Sequence, residues 1–251
     1  MNERGTVDLL ALDARLLYGR GKLDLAREML QRCVERADAM AVSYRQTSAL
    51  CRLAHVQIIS GQSALGLKTY QQTIEMADRL GQDGLRGEVL TCYGADLRRI
   101  GSPVESRDAL LEGLELALES ERSWVSIEAL FQLAWTLSTL GNRSDARRRA
   151  SEAYRFAQQL GHRPFEEKIA LFLGGLVLRG RAEQELGAEH LERVALAFDA
   201  REDYRVERAE LLMATGDLMI ELQCSEVGAR LLQRGRDQAF RMGAHGLLPR
   251  L

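Results

Sequence analysis

Leucine returns at Leu10, Leu50, Leu90, Leu130, Leu171 and Leu212, so the chain repeats itself at steps of 40, 40, 40, 41 and 41 residues. Four positions after each leucine stands a residue no larger than alanine: Ala14, Ala54, Gly94, Ala134, Gly175 and Gly216. A second small column follows at Ala26, Gly66, Ser106, Ala146, Gly187 and Gly228. A fixed period of this size constrains the fold more than any other property of the chain, because each unit can bury its apolar face only against its neighbours. The pattern predicts an all-α fold: a right-handed α-solenoid of six helix-turn-helix repeats, about twelve helices in all. One elongated domain spans 1–251, with repeats at about 5–41, 42–82, 83–122, 123–162, 163–202 and 203–243.

Inside each repeat two helical patterns are parted by a turn, as in Leu10–Leu17, then Gly21, then Leu23–Ala37. The turn column reads Gly21, Gly61, Gly101 and Gly141, where glycine takes the left-handed conformation that ends a helix, and then loses that signal at Ala182 and Gln223. Ser102-Pro103-Val104-Glu105 reads as a capping box with proline at the first helical position, and Asn142 with Asp145 imitates it. The second helices end at Leu80-Gly81, Leu160-Gly161 and Met242-Gly243. Another column, Ala37, Ala77, Ala117, Ala157, Phe198 and Ala239, is core, as are the large residues Leu17, Leu97, Leu137, Leu178 and Met219 that fill the gaps between small ones. Gln57 is the polar exception in that last column.

With 34 basic and 36 acidic residues the net charge is -2, so no global field draws the chain to nucleic acid or an anionic membrane. The most apolar stretch, Ile169–Leu178, is far short of the roughly 20 residues that span a bilayer. The opening Asn2-Glu3-Arg4-Gly5 does not read as a leader peptide, so none is expected and a cytoplasmic location is the expectation. Cys33, Cys51, Cys92 and Cys224 lack metal-ligand spacing and read as reduced thiols. His55, His162, His190 and His245 lie in separate repeats, which argues against a metal site. No phosphate loop, nucleophile elbow or HExxH is present; no enzyme activity and no cofactor are expected.

The order of small residue, turn, second small residue and further small positions resembles the tetratricopeptide repeat, and the resemblance covers about residues 5–243. Repeat four carries it most fully, with Leu130, Leu133, Ala134, Leu137, Gly141, Ala146, Ala150 and Ala153. The period is longer than the usual unit of about 34 residues, and lengthened helices account for the surplus. Longer units of this kind are similar to those of bacterial signalling proteins, including maltose-regulator-like activators, ATPase-linked regulators and some kinases or cyclases.

The resemblance implies that the first helices line a concave surface that binds a protein or peptide partner, or a small-molecule effector. Carried over by position, it assigns the groove to His55, Arg98, Phe131, Trp135, Phe172, Leu176 and Arg179. Phe131, Trp135, Phe172 and Leu176 would form an apolar floor; His55, Arg98 and Arg179 would meet a carboxylate. Packing between first helices is an equally good use for the aromatics, and Arg98 and Arg99 read as solvated. The basic run Arg147, Arg148, Arg149 and Arg155 falls on an outer face without stacking residues, so nucleic-acid binding is not expected. Two functions compete: an interaction scaffold with an open trough, and an effector sensor with a pocket closed on several sides. At the C-terminus Leu231, Leu232, Leu247, Leu248 and Leu251 predict an uncovered apolar end that frays or forms a homodimer.

Overall fold

The computed structural model of the chain describes residues 3–39, 43–178, 192–193, 195–196, 205–221 and 224–248, and these form helices and turns without a strand. α1 (Glu3–Gly19) pairs with α2 (Leu23–Ala39), α3 (Ser43–Ile59) with α4 (Ser63–Leu80), α5 (Asp83–Arg99) with α6 (Pro103–Glu119), and α7 (Ser123–Thr139) with α8 (Arg143–Gln159). α9 (Arg163–Leu178) opens repeat five; α10 (Arg205–Glu221) and α11 (Ser225–Arg241) form repeat six, followed by a short 3-10 turn, His245–Leu247. The column positions Ala182, Gly187, Phe198 and Gln223 lie outside the described residues.

The long period has a direct cause. Helices such as α5, α6, α7 and α8 each run 17 residues, and three-residue turns such as Ile100–Ser102 and Leu140–Asn142 complete the repeat. Each helix is therefore about 25 Å long. Gly21, Gly61, Gly101 and Gly141 sit at φ 70, 87, 91 and 82°, as the turn column predicts.

The small columns let paired helices meet at close range. A Cβ on Gly94 would lie 2.6 Å from the Cγ of Leu110, and one on Gly216 would lie 2.6 Å from the backbone nitrogen of Leu232. Ala134, Ala150, Ala153 and Ala157 are fully buried in the cluster that Leu130, Leu133 and Ile169 complete. Gln57, the polar exception, is buried and accepts a hydrogen bond from Thr69 at 2.9 Å. The two capping signals behave differently. The side chain of Asn142 accepts from the backbone of Asp145, whereas Ser102 makes no side-chain cap bond although Pro103 does open its helix. The capping box expected at Ser102 is not formed.

The C-terminal end departs most from expectation. The array curls far enough for repeat six to meet repeats one and two. Val206, Ala209, Ala239 and Ala244 share one buried cluster with Leu23 and Ile59, and Tyr18, Met242, Leu247 and Leu248 pack against it. Gly246 rests so closely on α3 that a Cβ there would fall 2.0 Å from the carbonyl oxygen of Ile58. Leu231 is 2% exposed and Leu232 half-buried, so among the described residues the C-terminal end that the sequence predicts to be uncovered is covered; Leu251 lies outside them. The reason is curvature: neighbouring repeats are rotated by a small angle, and six of them bring the ends together. The end that does show apolar side chains is α1, where Leu9, Leu12 and Leu16 are each about half exposed.

Candidate functional site

First helices face inward, and where α1, α3, α5, α7 and α10 converge they build, with Tyr70 of α4, a continuous polar network. Asp96 on α5 is wholly buried. It accepts from Tyr70 at 2.7 Å, from Arg99 at 2.8 Å, and pairs with His55 Nδ1 at 2.9 Å. His55 Nε2 in turn lies 2.8 Å from the Tyr18 hydroxyl. With Nδ1–H donating to Asp96, Nε2 accepts from Tyr18.

The second half of the network crosses from repeat three to repeat six. Glu210 accepts from Arg98 Nη2 at 2.9 Å and from Arg99 through Nε at 3.0 Å and Nη2 at 2.8 Å. Arg98 also donates to Gln132 at 3.3 Å, and its guanidinium stacks 4.2 Å above the Trp135 ring. The side chains of Arg98 and Arg99 are only 9% and 8% exposed. The solvated reading of these arginines is therefore wrong, because repeat six, remote in sequence, supplies their counter-ion.

Burial alone would raise the pKa of both carboxyls, but their hydrogen-bonded partners override it. His55 and Arg99 hold Asp96 below the usual carboxylate range, and Arg99 and Arg98 hold Glu210 well below it. Glu207, one turn before Glu210, goes the other way: burial pushes it up, and its Oε2 is buried with no hydrogen-bond partner. Burial also pushes the Tyr18 hydroxyl well above its ordinary value. Tyr18, His55 and Asp96 thus line up like a catalytic relay, yet the relay ends on a phenol whose ionisation is opposed.

Beside the network lies the aromatic group. Phe131, Trp135 and Phe172 form a triangle with centroids 5.6 to 5.7 Å apart, all tilted or edge-on. Phe131 is fully buried, while Trp135 and Phe172 are half-buried. Lys168 sits 4.7 Å over the Phe131 ring and 3.4 Å from Glu128. The structure therefore brings Arg98 and the three aromatics together, with His55 at the far end of the same network. The side chain of Leu176, and Arg179, lie outside the described residues.

Sequence reasoning missed Asp96, Tyr18 and the partnership of Arg99 with Glu210. Asp96 was detectable, since its column otherwise holds Leu16, Val56, Val177 and Leu218, with Thr136 the other polar member. Tyr18 shares the column of Arg98. The pairing across 111 residues left no periodic trace. Among the described residues no cluster of His, Cys, Asp and Glu is arranged to hold a metal, and no helix is long and apolar enough to cross a membrane.

This is the architecture of a tetratricopeptide-like α-solenoid. No family model and no curated protein matches the sequence. Among solved structures, a Rap protein complexed with Competence and Sporulation Factor superposes with a TM-score of 0.79 at 14% identity, over 96% of this chain and 66% of its own. The apo form of RapI gives 0.74 at 11% identity, over 96% and 85%. A signal transduction ATPase of the STAND class with a tetratricopeptide repeat sensor, from Pyrococcus horikoshii, gives 0.56 at 12% identity, over 96% and 37%. At such identities the likeness is one of fold.

Proposed function

We propose that the chain is a non-enzymatic interaction module of a signalling or regulatory protein, which binds a peptide or partner segment on its inner face. One observation carries this reading: at the centre of that face a guanidinium stacks on a half-buried tryptophan, beside a second half-buried ring. Such a surface offers an anchor for an apolar side chain next to a cation for a carboxylate. The Rap protein complexed with Competence and Sporulation Factor supports ligand binding as a use of this architecture. Peptides selected on the intact chain should lose about 2 kcal/mol or more of affinity on Trp135→Ala, with helical circular dichroism unchanged. Selection that yields only peptides indifferent to Trp135→Ala and Phe172→Ala would sink the proposal.

The sensor reading has its own support in the closure. Glu210 occupies Arg98 and Arg99 as a ligand carboxylate would, so an anionic effector that displaced it would loosen repeat six from repeat three. Small-angle scattering separates the two readings. A ligand that binds at Trp135 and expands the particle supports sensing; one that binds without changing the radius of gyration leaves a scaffold.

A further inference from the structure

The outer helices differ sharply in what they present to solvent. α2 and α4 each expose one large apolar residue, Leu25 and Leu65; α8 exposes none and α11 one, Phe240. α6 exposes three, Val104, Leu111 and Leu118, at 49, 43 and 50%. They are seven residues apart, so they form one row along about 21 Å of helix, drifting only about 20° per step. A second row beside it is Glu105, Glu112 and Glu119, also at seven-residue spacing, with Asp108 and Glu115 between the two. α6 carries these five acids against the single base Arg107. Arg107 meets Asp108 and Arg86 meets Glu112, but Glu105, Glu115 and Glu119 have no ion pair among the described residues.

We propose that the outer face of α6 docks a basic amphipathic helix from a partner protein, a site separate from the inner face. A seven-residue apolar row matches the seam of another helix, not the two-residue period of a strand. The acidic row selects Lys or Arg on the flank of that helix and repels nucleic acid and anionic membranes. A second copy of this chain is a poorer occupant. Its basic helices are α8, which has no exposed large apolar residue, and α11, which has Phe240 alone, so neither offers an apolar row to meet the seam. The leucine stripe on α1 lies among mixed charges, Asp8, Asp13 and Arg15, and specifies no occupant.

The test uses the full chain and a synthetic helix of about 21 residues with leucine every seventh position and lysine on the flank facing the acidic row. Fluorescence anisotropy should show saturable binding that falls at least about tenfold on Leu111→Ser/Leu118→Ser. It should fall as far on Glu105→Lys/Glu115→Lys/Glu119→Lys and return when the peptide lysines are exchanged for glutamate. Circular dichroism controls for folding, and the charge-exchanged pair restores binding only if the site is intact. Four outcomes overturn the proposal: no saturable binding, binding equal in the serine variant, equal binding of a scrambled peptide of the same charge, or a dimer in sedimentation that the serine variant dissolves. The last would give the face to a second copy.

Discussion

Glu210 holds two arginines at once, and both depend on it. Removing one partner of a buried pair leaves uncompensated charge at a cost of about 3–5 kcal/mol, far above the worth of the pair against an apolar replacement. Glu210→Ala should therefore destabilise the chain by several kcal/mol in denaturant titration, and a melting curve unchanged from wild type would show that the network contributes nothing. Glu207 should behave in the opposite sense. Its carboxyl is raised by burial, so the folded state binds the proton more tightly than the unfolded one. The cost of ionising it is absent below the ordinary glutamate range, grows as pH rises toward the raised value, and is complete above it. Glu207→Gln should stabilise the chain at pH 7 and give no gain below about pH 4. Equal stabilisation at both values would mean that the gain is not one of charge.

At the scale of the helix, ends decide more than interiors. Asn142 satisfies the amide of Asp145 at the start of α8, whereas Ser102 satisfies nothing at the start of α6. Loss of a working cap costs about 1 kcal/mol. Asn142→Ala should lower the free energy of unfolding by that amount and Ser102→Ala by little; a reversed order would show that the serine caps in solution. Pairing of helices was readable in advance, because the small columns fall where each first helix crosses its second. Ala134 is fully buried between Leu130 and the alanines of α8. Ala134→Leu should cost about 1–3 kcal/mol by overpacking, and a variant that melts with wild type would place the column elsewhere.

The whole molecule is an array closed on itself, and the closure is the property on which both functional readings depend. It rests on the apolar cluster around Ile59 and Ala244 and on the clasp between Arg98, Arg99 and Glu210. Gly246→Val places side-chain atoms on the Ile58 carbonyl and should expel the tail, raising the radius of gyration while leaving helical content intact. Acid should loosen the clasp as well. Asp96 and Glu210 are both depressed, so the stability they contribute is present above the ordinary carboxylate range and is lost as pH falls through their folded values. Scattering at falling pH should show expansion that Glu210→Ala already displays at pH 7; a particle of constant size in both would remove the clasp from the account of closure.

Helix pairing, the turns at Gly21, Gly61, Gly101 and Gly141, and the fit of small residues between helices were written in the sequence, because each depends on neighbours within one period and so recurs in columns. Arg98, Trp135 and Phe172 were assigned to the inner face only through the resemblance to the tetratricopeptide repeat, which gives that face to the first helices. The covered C-terminal end, the buried state of Arg98 and Arg99, and their partnership with Glu210 were not. They depend on the sum of small rotations over six repeats, which no single column encodes, and on contacts made once in the molecule between residues 111 apart. Local packing repeats and can be read by comparison within the chain; closure happens once, and only the tertiary structure decides where the ends meet.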